Sequence, residues 1–217
     1  MWDPLWLSIK VTGFATAIVA VTGIGLGYLL ARGGFRGRGV LDAIASAPIV
    51  MPPTVLGYYL LVTVGRRSPI GRAWEAVFGS PLVFTWQGAV LAASVASFPF
   101  CLRAARAAIE SVDRRYEAAG RVMGLPNWRV AAQITLPLAR RGLLAGVALA
   151  FARALGDFGT TVMVAGNIPG RTQTMPIAVY DAVQAFDYDR AGALALTLLA
   201  VAVTVLVVVR RLERVPG

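Results

Sequence analysis

The sequence has no histidine and only one cysteine, Cys101, among its 217 residues. A single cysteine rules out an intrachain disulfide. The usual zinc and iron–sulfur sites are excluded because they take several ligands from histidine and cysteine. Charge is scarce as well, at 15% of residues, against about a quarter in soluble domains. We therefore expect no metal, no cofactor and no ordinary soluble fold.

Long apolar runs are what the sequence does contain. Hydrophobic residues make up 57% of the chain and the mean hydropathy is +0.68. Runs of about 20 apolar residues, the length that crosses a ~30 Å hydrocarbon core as a helix, recur along it. Barrel strands would alternate polar and apolar residues, and runs such as LTLLAVAVTVLVVV do not. The pattern predicts an all-α, polytopic transmembrane helical bundle.

About five membrane spans are predicted, in one domain. No soluble domain, low-complexity segment or obvious repeat interrupts them, so residues 1–217 are expected to form a single transmembrane domain. The predicted spans are Leu5 to Leu30, Ile44 to Val64, Phe84 to Leu102, Leu143 to Ala165 and Gly192 to Val209. Lys10 lies near the start of the first span and is expected to snorkel to the outer interface.

The two sides of this bundle differ in arginine content. Loop 31–43, loop 103–141 and the tail beyond Val209 hold fourteen arginines, against five on the other side. Cytoplasmic loops are enriched in Lys and Arg, so we expect a multi-pass inner (plasma) membrane protein with its N-terminus outside and its C-terminus cytoplasmic. The net charge of +10 would suggest nucleic acid in a soluble protein; here the partners expected from it are membrane lipids, not nucleic acid.

The predicted cytoplasmic loop 103–141 is too polar to cross the bilayer, yet it is patterned. Asp113 is a plausible N-cap for a short helix through Met123, which Gly124 and Pro126 would end. A second helical turn could begin at Asn127 and present Trp128, Val130 and Ile134 as an apolar face. Pro137 would then break the helix before the fourth span.

A fixed spacing runs through this loop. Gly124 is followed after nine residues by Ile134, and then after one residue by Leu136 and Pro137. The spacing resembles the EAA loop of ABC-importer permeases, whose pattern is EAA, three residues, Gly, nine residues, Ile, one residue, Leu-Pro. The correct register makes Ala118, Ala119 and Gly120 the core of the motif, with Glu117 just upstream. The alternative is an ordinary basic loop that touches lipid headgroups.

The resemblance implies an ABC type I importer permease fold, with residues 103–141 as the cytoplasmic loop on which a separate ATPase pushes. No G-x-x-x-x-G-K-[ST] pattern occurs in the chain, so ATP hydrolysis would come from a partner, and the chain itself would not be an enzyme. Further partners implied are a second copy of the chain and a periplasmic or extracellular oxyanion-binding protein.

Other segments resemble the molybdate branch of these permeases, in order along the chain from about Leu5 to Val209. They are PIVMPPTVLGYYLL, VGRRSPIG, FTWQGAVLAASVASFPF, FARALGDFG and GNIPGRTQTMPIAVY. Sulfate permeases share the style of FARALGDFG, while NIPGRTQTMP looks more like the molybdate branch. The resemblance implies a molybdate permease, with a sulfate or tungstate permease as the alternative. A stand-alone secondary transporter or channel, or a membrane scaffold, is the alternative of another class.

Arg153 and Asp157 place charge inside the predicted fourth span. Spacing i, i+4 puts both side chains on one helical face, and Thr160 and Thr161 extend the polar stripe. Such charges face a partner or a water-filled cavity. Two interpretations stay open: the two charges neutralise each other and brace the bundle, or Arg153 lines the path of a dianion while Asp157 holds it in place.

Two further segments have alternative interpretations. Pro52 and Pro53, together with Pro48, interrupt the second span, either as a packed kink or as unwound backbone beside the pathway. Residues Met175 to Asp189 could form an amphipathic helix outside the membrane, either as a docking surface for the binding protein or as a plain surface helix.

Overall fold

The computed structural model describes residues 2–214; residue 1 and residues 215–217 of the predicted 1–217 domain lie outside the described part. Helices make up the secondary structure of residues 2–214, with no strand among them. The α-helices are α1 (Trp2–Arg32), α2 (Arg38–Ser46), α3 (Pro53–Val64), α4 (Pro69–Phe78), α5 (Trp86–Glu110), α6 (Arg114–Val122), α7 (Asn127–Val130), α8 (Leu136–Leu155), α9 (Gly159–Ala165), α10 (Met175–Gln184) and α11 (Tyr188–Arg214).

Within residues 2–214, four stretches of helix are long and apolar enough to span a membrane: Asp3–Arg32, Trp86–Glu110, Asn127–Leu155 and Tyr188–Val208. A fifth span can be formed by the pair Arg38–Ile49 and Pro53–Val64, which is bent by 113°. These elements confirm the prediction of an all-α polytopic bundle of about five spans. The bend falls at Val50 to Pro52, where the proline cluster leaves the backbone without helical hydrogen-bond donors.

The third span is longer than predicted. Helix α5 continues past Leu102 to Glu110, eight residues into the predicted loop 103–141. The added residues are mainly alanine and arginine, which are strong helix formers whether or not they lie in lipid. Ala105 and Ile109 on this extension are buried, so packing holds it in helical form. The connection between α5 and α7 is therefore 111–126, with α6 inside it.

The prediction that Pro137 breaks the helix before the fourth span is wrong. Helices α7 and α8 are joined by a π-helical segment, Ala131–Thr135, and Pro137 lies in the first turn of α8. A proline cannot donate an N–H, and its ring clashes with the preceding turn of an α-helix. The wider π turn just before Pro137 accommodates the ring, so the helix continues without a break.

The fourth span is also not one helix from Leu143 to Ala165, as predicted. Helix α8 ends at Leu155, Gly156 is its C-cap, and α9 begins at Gly159. Asp157 promotes the interruption because its carboxylate accepts hydrogen bonds from the backbone N–H and the hydroxyl of Thr161. Such local side-chain bonds compete with the helical ladder and favour a new helix start.

Helix α5 occupies the centre of the bundle, between α1 and α8. Small residues let the three helices approach closely, as is typical of membrane bundles. A Cβ added to Gly27 of α1 would lie 3.1 Å from the Cβ of Ala105, and one on Gly146 of α8 would lie 2.9 Å from the Cβ of Ala104. These two contacts hold α1, α5 and α8 against one another near the end of the bundle from which α6 follows.

Helices α4 and α10 lie between the longer elements. Helix α4 was not predicted; Ser68 caps it by accepting a 2.8 Å hydrogen bond from the N–H of Gly71, and Gly79 ends it with φ +68°. Helix α10 covers the first part of the predicted segment Met175 to Asp189 and buries Met175 and Ile177. The N–H of Met175 donates to the Ser8 hydroxyl at 2.7 Å, which places α10 at the N-terminal end of α1.

Candidate functional site

Helix α6 forms where the sequence predicts it. Asp113 is the N-cap, and its Oδ1 accepts a 2.9 Å hydrogen bond from the N–H of Arg115. Gly124 follows the helix with φ +83°, in the left-handed region that favours glycine. The segment formed by α6 and residues 123–135, here called the platform, lies at the end of the bundle where α1 and α5 terminate.

Glu117 is the centre of the platform. Its side chain is only 2% exposed, and its Oε1 accepts hydrogen bonds from Arg32 Nε at 2.7 Å and Thr135 Oγ1 at 2.8 Å. Arg121 Nη2 lies 3.4 Å from its Oε2. A buried carboxylate is tolerated only when it is paired and hydrogen-bonded, and Glu117 meets both conditions. It therefore fixes α6 to the last turn of α1 and to the π segment.

Arg32 extends this attachment to α5. Its Nη2 donates to the carbonyl oxygens of Ile109 and Val112 at 2.9 and 2.8 Å. These carbonyls belong to the end of α5 and the residues just after it, where helical partners run out. One guanidinium thus joins α1, α5 and α6. The sequence pattern singled out Glu117 but gave no signal for Arg32 or Thr135, because these partners are distant in the chain.

The motif residues divide into an inner and an outer set. A Cβ on Gly120 would lie 2.5 Å from Ile134 Cδ1, so α6 packs closely against the π segment here and a larger residue would require the end of the Ile134 side chain to move. Ala118, Ala119, Gly124 and Pro137 are exposed, whereas Leu136 is half-buried. The buried motif residues, Glu117 and Gly120, hold the platform in place. The exposed motif residues are available to another molecule.

Large apolar side chains are concentrated on the outside of the platform. Val122 is 88% exposed and Met123 73%. Tyr116 and Trp128 are exposed as well, although Trp128 was expected to share an apolar face with Val130, which is buried. Exposed apolar groups that are rimmed by arginines are typical of surfaces that contact another protein or a membrane.

Replacing Gly124 by valine is expected to weaken the platform without preventing membrane insertion. A β-branched residue at φ +83° is strained by about 1–3 kcal/mol, so the turn after α6 should shift and displace Met123. The measurement is co-purification with the ATPase subunits that the resemblance to the EAA loop implies. The matched control is Gly39→Val, since a Cβ at Gly39 meets nothing within 4 Å and its φ is not positive. Equal co-purification of the two variants would contradict the prediction.

Arg153 and Asp157 form the predicted ion pair, with Arg153 Nη1 3.0 Å from Asp157 Oδ1. The prediction placed both residues on one continuous helix, but Asp157 follows the end of α8. The Asp157 side chain is fully buried and its Oδ2 is bound by Thr161, whereas 26% of the Arg153 side chain is exposed. Thr160 is buried and its hydroxyl has no partner among the described residues.

The breaks in two spans lie side by side. A Cβ added to Gly159, at the start of α9, would lie 2.8 Å from the Cβ of Pro53 at the start of α3. A Cβ on Gly57, one turn later, would lie 2.6 Å from the Cβ of Met163. Pro52 and Pro53 are exposed at this junction. The structure thus brings Pro53, Thr160 and Asp157 into one region, and the backbone is broken there in both spans.

Sequence comparison finds permeases of molybdenum and sulfate transport systems among the relatives of this chain. A molybdenum transport system permease protein of Escherichia coli K12 is 43% identical over 205 residues, covering 94% of this chain and 89% of the relative. A sulfate transport system permease protein of the same strain is 32% identical over 199 residues, covering 92% of this chain and 72% of the relative.

Solved structures share the fold at low sequence identity. A chain of the MetNI methionine ABC transporter in an inward-facing conformation superposes with a TM-score of 0.75 at 17% identity, covering 97% of this chain and 93% of that chain. A chain of a bacterial alginate ABC transporter, in complex with an alginate-bound periplasmic protein, gives 0.77 at 15% identity, covering 98% and 77%. The predicted ABC importer permease fold is confirmed.

The match to a family covers most of the chain. Residues 23–214 fit the sequence profile described as "Binding-protein-dependent transport system inner membrane component". This range includes the platform, the ion pair and the two broken spans. The chain belongs to the family of binding-protein-dependent transport system inner membrane components.

Proposed function

We propose that this chain is the permease subunit of an ATP-driven importer that carries molybdate across the inner (plasma) membrane. The observation that carries the proposal is the 43% identity, over 94% of the chain, to a permease named for molybdenum transport. The sulfate permease is 32% identical, which favours molybdate over sulfate. Tungstate is nearly the same tetrahedral dianion, and uptake measurements have to separate the two.

The platform is the proposed contact for a separate ATPase. Its exposed apolar residues lie on and just after α6, which Glu117 and Arg32 attach firmly to α1 and α5, and on the neighbouring α7. A short helix held in this way can act as a rigid lever, so movement of an ATPase would be transmitted to the spans. A stand-alone carrier or a scaffold would have no use for such an exposed, rigidly attached element.

Further partners and the orientation follow from the same proposal. The platform would lie in the cytoplasm, which puts the N-terminus outside and the C-terminus inside, in agreement with the arginine distribution. Helix α10 would lie at the outer end, on the side from which a periplasmic binding protein would dock; the solved alginate transporter is likewise in complex with a periplasmic protein. A second copy of the chain would complete the translocation path.

Uptake of labelled molybdate into vesicles tests the proposal. The chain is reconstituted with its ATPase subunits and binding protein, and uptake is compared with and without the ATPase subunits. We expect uptake only with ATP and the ATPase, competition by tungstate, and weaker competition by sulfate. Uptake that is unchanged when the ATPase is left out would refute the proposal, and stronger competition by sulfate would refute the substrate.

Arg153 is the proposed pathway cation. Asp157 is fully buried and bound by Thr161, so it is fixed in place, while Arg153 is partly exposed beside the two broken spans. Broken helices in transporters line cavities near the middle of the membrane. A single guanidinium there would attract a dianion weakly, which lets the ion leave again.

A pair of variants separates this role from simple bracing. Arg153→Leu alone leaves a buried carboxylate unpaired and is expected to cost about 3–5 kcal/mol of stability. Adding Asp157→Asn removes that charge and keeps an oxygen for Thr161, so the melting temperature should recover. Uptake should stay well below wild type, because the cation proposed to attract the dianion is gone. Recovery of uptake together with stability would show that the pair only braces the bundle.

A further inference from the structure

A cleft at the α10 end of the bundle has no role in the function proposed above. It has a volume of about 650 Å³ and lies between the N-terminal part of α1, the start of α5 and the loop before α10. Trp6, Lys10, Trp86, Gln87 and Arg171 line it, with Asp3 as its one carboxylate. A second cleft of about 800 Å³ shares Arg171 with it and adds Arg66 and Arg67.

The cations of this region are largely without counter-ions. Lys10 Nζ lies 3.6 Å from the centroid of the Trp86 ring, a cation–π contact that holds the ammonium in place without neutralising it. Among the described residues, neither Lys10 nor Arg171 takes part in an ion pair, and Arg66 pairs only with Glu75 at 3.4 Å. The two joined clefts are therefore lined by four cations, Lys10, Arg66, Arg67 and Arg171. Asp3 is the one carboxylate among their described lining residues, so the clefts carry an excess of positive charge that favours a bound anion.

An apolar groove begins at the same lysine. It follows α1 toward the middle of the membrane, has a volume of about 450 Å³, and is lined by Trp6, Ile9, Lys10, Gly13, Phe14 and Ala17. Trp6, Ile9 and Phe14 are among the exposed apolar side chains of α1. Lys10 thus lies where the cationic cleft meets the apolar groove along α1.

We propose that this site binds an anionic phospholipid, with the phosphate of a phosphatidylglycerol-type headgroup between Lys10 and Arg171 and one acyl chain in the groove along α1. The charge of the cleft selects an anion, and the groove selects one that carries a hydrocarbon chain. A free oxyanion would use only the cleft. Gln87 and Ser80, which also line the clefts, can bond the glycerol hydroxyls. The tryptophans Trp6 and Trp86 place the site at interfacial depth.

Native mass spectrometry of the purified transporter complex tests the proposal. Lipid retention is measured with phosphatidylglycerol and with phosphatidylcholine of the same acyl chains, and inorganic phosphate is added as a competitor. Wild type is expected to retain phosphatidylglycerol preferentially, and millimolar phosphate should not displace it. Lys10→Gln and Arg171→Gln should each reduce the preference about fivefold, the factor expected for one interfacial cation. The control is Arg190→Gln, an exposed arginine that lines neither cleft.

A second variant tests the groove. A Cβ at Gly13 meets nothing within 4 Å, so Gly13→Leu should fold normally, fill the groove and lower phosphatidylglycerol retention while the charges remain. Equal retention of the two lipids by wild type, or unchanged preference in the Lys10 and Arg171 variants, would overturn the proposal. Displacement by free phosphate would assign the site to a small oxyanion instead. These outcomes do not depend on transport activity.

Discussion

Replacing Glu117 by alanine is expected to destabilise the chain by about 3–5 kcal/mol and to abolish coupled uptake. The substitution leaves Arg32, itself 11% exposed, without its carboxylate at the junction of α1, α5 and α6, and removing one member of a buried ion pair carries a cost of this size. Thr135 loses its acceptor as well. The measurements are the melting temperature of the purified chain and molybdate uptake in reconstituted vesicles.

Two controls show whether the effect comes from burial. Glu110 also pairs with arginines, Arg38 and Arg106, but its side chain is 43% exposed, so Glu110→Ala should cost about 1 kcal/mol or less. The free chain, measured without ATPase, should already show the loss in Glu117→Ala, because the carboxylate faces inward. A normal melting temperature for the free Glu117→Ala chain, with loss only of ATPase binding, would mean that Glu117 contacts the partner instead.

Adding a methyl group at the junction of the two broken spans is expected to lower both stability and uptake. In Gly159→Ala the new Cβ would lie 2.8 Å from the Cβ of Pro53 and 3.3 Å from the N–H nitrogen of Thr54. In Gly57→Ala it would lie 2.6 Å from the Cβ of Met163. Overpacking of this kind costs about 1–3 kcal/mol. Because α3 and α9 must separate for the methyl group to fit, the junction should be distorted and uptake should fall well below that of wild type.

The matched control for this pair is Gly25→Ala in α1, where a Cβ meets nothing within 4 Å. Helix propensity favours alanine over glycine by about 1 kcal/mol, so this variant should be slightly more stable than wild type and transport normally. If Gly57→Ala and Gly159→Ala transport as well as Gly25→Ala, the close contact of α3 and α9 does not matter for the transport cycle.

Local signals predicted the fold class, the approximate spans and helix α6. Asp113 and Gly124 mark the two ends of α6 through capping and a positive φ, and both effects depend only on neighbouring residues. The apolar runs predicted the spans because a membrane requires them. Their ends were less accurate, as the extension of α5 to Glu110 shows, because alanine-rich helix does not stop at the edge of the lipid.

Long-range contacts could not be predicted in the same way. Arg32 and Glu117 are 85 residues apart in sequence, and nothing near either residue indicates the other. Spacing alone predicted the Arg153–Asp157 pair, because the two residues are four positions apart, but it gave no warning that Asp157 would lie in a break between two helices. The contact between Gly159 and Pro53 likewise depends on how two spans pack, and glycine and proline are common in membrane helices for many reasons.

The π segment Ala131–Thr135 determines how far α7, in the platform, is rotated about the helix axis relative to α8. One extra residue in a turn rotates everything before it by about 100° relative to everything after it. Trp128 therefore points in a direction that a regular helix leading into α8 would give to a different residue. Deleting one alanine from the segment would remove the extra residue of the wide turn. The tryptophan would then swing more than a quarter of a circle around the helix axis, away from the side on which the chain now presents it.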